Sequence, residues 1–110
     1  MSRPGDRFAA AVRRLADAVL NGRGDLAPTA RHGIAGRAGG RTDAGAVPDA
    51  LASYIDTVAR HAYRVTPEQV DALRAAGLSE DAVFEATVAV ALGAGLLRLE
   101  RGLAAVRGED

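Results

Sequence analysis

The 110-residue chain has no Cys and no Trp, and aromatic residues make up only 4% of it. The missing Cys excludes thiol nucleophiles, disulfides and thiolate metal sites. Lys is missing too: all 14 basic residues are Arg, and they balance 14 acidic ones. No overall field therefore draws the chain to nucleic acid or to an anionic membrane. Long apolar runs are also lacking. The longest uncharged stretch, Ala86 to Leu97, falls short of the roughly 20 residues that span a bilayer. The opening Met1-Ser2-Arg3-Pro4-Gly5-Asp6 has no secretory apolar region. The expectation is a cytoplasmic protein with neither nucleic acid nor membrane as partner.

What the chain does have is Ala, 25 residues of it. The Ala and Arg bias without Lys reads as the product of a GC-rich coding sequence, yet it has a physical consequence. Ala is the best helix former and Arg a good one. With few β-branched and aromatic residues to favour strands, the chain is predicted to be all-α. The length suits one domain, residues 1–110, built as a small bundle of four to five helices.

A first helix is predicted from Asp6 or Arg7 to Leu20, with Phe8, Val12, Leu15 and Val19 as one apolar stripe. Asn21-Gly22 is expected to end it through a left-handed glycine. Residues 22–46 hold seven of the 13 Gly. A short helix after Pro28 is predicted within 27–38, with thin apolar content, followed by a flexible Gly/Arg-rich loop at 39–46. The next helix begins near Val47-Pro48 and runs to 61–64, with Leu51, Ile55, Val58 and Ala62 on one face and Tyr54 beside them. Thr66-Pro67-Glu68-Gln69 reads as a capping box with proline pre-set at the first helical position. Gly77 stops that short helix, and Ser79 caps the last one.

The last helix is predicted over about 80–106, apolar on nearly every side between Ala86 and Leu97. Such a helix must be buried all round, and a chain this short has few helices to surround it. Part of its surface is therefore expected in a homo-oligomer interface. Gly93, Gly95 and Gly102 point to close approach, since each costs up to about 1 kcal/mol in a helix interior.

Candidate chemistry is sparse. Ala35-Gly36-Arg37-Ala38-Gly39-Gly40-Arg41-Thr42 is a broken phosphate-binding loop, lacking the first Gly, the Lys and a preceding strand; a flexible loop accounts for it better. Arg23-Gly24-Asp25 spells an adhesion tripeptide that chance supplies in this composition. Arg23, Arg31, Arg37 and Arg41 read as a mildly basic solvated loop. His32 and His61 form no metal-ligand spacing, and no cofactor motif is present. His61 near a helix C-terminus is a candidate proton-transfer group. Glu85, beside an apolar stretch, is a candidate acid or base. Arg98 is a candidate anion binder, and lies about 20 Å from Glu85 along one helix, so the two would meet only across an antiparallel helix pair of a dimer.

Between Tyr54 and Val106 a capped short helix is followed by Leu73-Arg74-Ala75-Ala76-Gly77-Leu78-Ser79-Glu80-Asp81 and then by the long apolar helix ending near an Arg. This phrase resembles the carboxymuconolactone decarboxylase and alkylhydroperoxidase-D-like families. The resemblance implies an all-helical fold that assembles through its long helices. The redox members carry Cys-x-x-Cys and His; no position here supplies the thiols, so peroxidase and disulfide-reductase activity do not carry over. The leading expectation is a self-assembling helical binding or structural protein without thiol chemistry. The alternative is a cofactor-free decarboxylase or isomerase acting on a small lactone or carboxylate, with His61, Tyr63, Glu85 and Arg98 as its candidate residues. A third reading is a helical partner docking on a larger enzyme.

Overall fold

A computed structural model describes residues 6–41, 45 and 47–108, without the side chain of Tyr63. Among the described residues the chain is all-helical, with no strand. The order is α1 (Asp6–Asn21), α2 (Pro28–Ala38), α3 (Asp49–His61), a single 3-10 turn (Ala62–Arg64), α4 (Pro67–Ala75) and α5 (Glu80–Val106). The core gathers Ile34 of α2, Leu51 and Ile55 of α3 and Val90 of α5, all fully buried. Leu26, Leu73, Val83 and Ala86 extend it. Tyr54 is buried with them, and its hydroxyl meets Thr87 Oγ1 at 2.7 Å. The single Thr87 hydroxyl proton goes to the Val83 carbonyl at 2.7 Å, so Tyr54 is the donor of the pair.

The most extensive packing in the chain joins α2 to α5. It is backbone against backbone. A Cβ on Gly93 would overlap the backbone of Ala35, and one on Gly39 would come within 3.3 Å of the Gly93 carbonyl. The short helix expected after Pro28 is α2, Pro28–Ala38. Its apolar content is thin, yet Arg31, Gly33, Ile34 and Ala35 are all buried. Small residues let the helix bury by proximity, which a search for large apolar side chains cannot register.

Arg31 does correct an expectation, since it belongs to no solvated loop. It is 3% exposed. Its Nε donates to the Leu26 carbonyl at 3.2 Å and its terminal nitrogens to the carbonyls of Val19 and Gly22. Two of these close the end of α1, whose last carbonyls have no partner within the helix and carry its negative dipole end. Gly22 is accordingly not left-handed; among the described residues the glycines with positive φ are Gly40, Gly45, Gly77 and Gly108. A guanidinium caps α1 in place of the predicted glycine turn.

The other boundaries follow the sequence signals. Gly40 (φ 76°) and Gly77 (φ 100°) sit just past α2 and α4. In each case the following amide reaches back five residues, Arg41 to Gly36 at 2.9 Å and Leu78 to Leu73 at 3.2 Å, the pattern of a Schellman turn. The loop expected at 39–46 therefore begins as a helix end, and 42–44 and 46 lie outside the described residues. The phosphate-loop-like segment is likewise helical over 35–38. At Thr66 both hydrogen bonds of the capping box are present, at 3.0 and 3.2 Å. Ser79 Oγ accepts from the Ala82 amide at 3.0 Å and caps α5. Ala62, expected on the inner face of α3, is exposed in the 3-10 turn that follows it.

Within one chain α5 is buried along one flank only, through residues such as Ala82, Ala86, Ala89, Val90 and Gly93. A Cβ on Gly95 or Gly102 would meet nothing within 4 Å, so of the three glycines of α5 it is Gly93 that serves close approach inside the chain. By length and composition α5 has what a membrane-crossing helix needs; the same is true of a core helix buried in an assembly. α1 has no buried residue at all.

Two glycines separate close packing from mere helix propensity. Gly93→Ala should lower the unfolding free energy by about 1–3 kcal/mol through overpacking. Gly102→Ala should leave it unchanged or raise it by up to about 1 kcal/mol. Urea denaturation of the two variants side by side checks this. Arg31→Met should cost about 2–4 kcal/mol by leaving buried carbonyls without donors, read in the same experiment.

Candidate functional site

Two surfaces of the fold are built from several elements each, and they lie on different flanks of α5. The first is apolar. α1 presents Val12, Leu15 and Val19, and α5 presents Val88, Leu92, Leu96 and Leu99; between them runs a groove of about 380 Å³. Phe8 at the outer end of the α1 stripe is 78% exposed and Leu15 57%. Phe84 at 68% and Leu103 at 41% extend the open apolar surface of α5 beyond the groove. The sequence supplies this face directly: α1 repeats apolar residues every three or four positions, and α5 is apolar on the flank that its own chain leaves open.

The second surface is polar and surrounds an ion pair. Arg37, in the last turn of α2, meets Asp56 of α3 with two parallel hydrogen bonds of 2.9 Å each. Both side chains are a little under half exposed. The hydrogen bonds from Arg37 hold the Asp56 carboxyl below the usual carboxylate range; burial opposes them, and the charges of Arg37 and then Arg60 add to the lowering. Arg37 is held correspondingly above its ordinary value, first by the same hydrogen bonds. The pair forms a ridge between two grooves. One, of about 740 Å³, is lined by Ser53, Thr57, His61, Arg64 and Gln69 as well as the pair. The other, of about 320 Å³, brings Arg60, Arg98 and Arg101 to the pair over a floor of Ala59, Ala94 and Leu97.

The sequence candidates separate on these surfaces. His61 lines the larger polar groove and Arg98 the smaller. Arg98 also donates to the Ala59 carbonyl at 3.3 Å. Glu85 stands apart from both. Its two carboxylate oxygens accept the amides of Asp25 and Leu26, each at 2.9 Å. It thus fixes the α1–α2 connection, with Gly24 so close that a Cβ there would collide with the carboxylate. Asp25 in turn accepts a hydrogen bond from Ser79. The Arg23-Gly24-Asp25 tripeptide belongs to this clasp. Glu85 and Arg98 are 13 residues apart, about 220° around the helix, and Glu85 turns to the connection while Arg98 turns to α3. The Tyr63 side chain lies outside the described residues. His32 Nε2 lies 2.8 Å from Asn21 Oδ1. No group of three or more His, Asp or Glu among the described residues could hold a metal ion.

Sequence reading missed the Arg37–Asp56 pair, because 19 residues and a turn separate its partners. It also missed Arg60 and Arg101. For Arg101 a signal existed, as Arg98 and Arg101 are three apart on one helix and share a face.

The ion pair makes stability depend on acid. The Asp56 pKa is lowered on folding, so its contribution is present above the unfolded-state value of about 3.9 and is lost as pH falls through the folded-state value. Wild-type unfolding midpoints should therefore drop below about pH 4 more steeply than those of Asp56→Asn, as followed by circular dichroism melts across an acid series. No family model, curated protein or solved structure matches this chain.

Proposed function

We propose that this is a small cytoplasmic protein that works by assembling with copies of itself, through the apolar face shared by α1 and α5. In this reading it is a non-thiol relative of the carboxymuconolactone decarboxylase-like proteins, a binding or structural unit rather than a redox enzyme. The observation that carries the reading is the surface left uncovered. The chain exposes 7648 Å², whereas a compact monomer of its mass exposes roughly 5,700 Å². The radius of gyration, 15.2 Å, likewise exceeds the roughly 13 Å of a compact chain of this length. The extra exposure goes with an elongated chain, 52 × 29 × 24 Å. Part of it is the apolar face where α1 and α5 meet, and large contiguous patches of this kind are uncommon on monomers.

A symmetric pairing of two α1–α5 faces gives a four-helix contact in which both open flanks are covered at once. That burial would also make α5 the central helix of a soluble assembly, not a membrane span. Multi-angle light scattering at micromolar concentration tests it. A dimer or higher oligomer is expected for the wild type, and a monomer for Leu92→Glu/Leu96→Glu. A folded wild-type monomer would overturn the reading.

A second reading, proton-transfer chemistry on a small lactone or carboxylate, is favoured by one arrangement: His61 and Arg98 lie on either side of the Arg37–Asp56 pair. It loses Glu85, whose carboxylate is occupied by two backbone amides.

A further inference from the structure

We propose that the groove between α2, α3 and α5 binds a small organic molecule carrying two or more negative charges, of the phosphate-ester kind. Four guanidiniums reach this groove from three helices: Arg37 from α2, Arg60 from α3, and Arg98 and Arg101 from α5. One carboxylate faces them, Asp56, and Arg37 already engages both of its oxygens. The wall therefore carries a net charge of about +3 in a concave site, where low-dielectric surroundings focus the field.

The number of charges selects the ligand. One carboxylate is satisfied by one guanidinium fork, as Asp56 shows, and would leave the others unused. Guanidiniums arranged around a centre match the several oxygens of a phosphate or diphosphate. The floor selects further. Ala59, Ala94 and Leu97 offer apolar surface beside the charges, which suits an organic body attached to the phosphate more than a bare ion. A volume of about 320 Å³ lies at the small end of the range for small-molecule sites.

The site is independent of the assembly face. Ala94, Leu97, Arg98 and Arg101 lie about 140° around α5 from Val88, Leu92, Gly95 and Leu99 at 100° per residue. Self-association through α1 and α5 would leave the groove open, so either proposal can fail alone.

Calorimetric titration of the full chain at low salt tests the inference, with sodium pyrophosphate as probe and acetate as the single-charge comparison. Pyrophosphate is expected to bind at least about tenfold more tightly than acetate, as several charge-assisted bonds replace one pair. Arg60→Gln/Arg101→Gln, both exposed in the wild type, should weaken pyrophosphate by about tenfold or more while leaving the thermal midpoint in place. Arg74→Gln, an exposed change on α4, should leave binding unchanged. Phenyl phosphate should bind more tightly than inorganic phosphate if the apolar floor takes part. Absence of pyrophosphate binding, or an equal loss in Arg74→Gln, would overturn the site. Equal binding of the two monophosphates would overturn its assignment to an organic ligand.

Discussion

The fold depends on two backbones being allowed to touch. Gly93 gives up its side chain where the Ala35 backbone crosses α5, and α2 lies against α5 along that contact. Everything of interest on the surface is placed by it. The end of α2 reaches α3, so Arg37 finds Asp56. The start of α2 reaches back to α1, so Arg31 can close that helix. A single methyl group at position 93 would push α2 outward and disturb both relationships together. Interiors packed to crystal-like density transmit such changes rather than absorb them.

Arg31 shows how a buried charge is made tolerable without a counter-charge. Burying an ion costs several kcal/mol even after the protein relaxes. Here the guanidinium is surrounded by carbonyls that also need partners, at the negative end of a helix. Both problems are solved by the same three hydrogen bonds. Arg suits the task better than Lys would, because its donors fan out in a plane and can serve carbonyls from separate turns. The Arg-only composition thus has a structural use at this position, whatever its genomic origin.

Local chemistry was legible in the sequence, and tertiary reach was not. Thr66, Gly77 and Ser79 announce their caps because each hydrogen bond closes within a few residues. The start of α5 follows from Ser79, and no Pro breaks the helix before Val106, its three glycines being carried within the run. The burial of α2 was hidden, because glycine and alanine bury through closeness and leave no hydrophobic period. The cap of α1 was hidden because its donor lies 12 residues away, and a rule that pairs glycine with helix ends names the wrong residue there. Of the candidate residues, Glu85 looked chemical because it borders an apolar stretch; its partners, two amides about 60 residues distant, appear only in three dimensions. The all-round apolar character of α5 was legible, and the chain leaves one of its flanks open.

α1 is joined to the rest of the molecule unlike any other helix. It buries no residue, and its firmest attachment is the guanidinium at its last turn. Its amides therefore open at a lower free energy than those of α2 or α5, and progressively from the Asp6 end, because a helix held at one end frays from the other. If a second copy covers the same apolar stripe, the two α1 helices become the least protected part of the free chain and among the best protected of the assembly. The stability of this element would then rise with protein concentration, by mass action, while that of the α2–α5 core stayed constant.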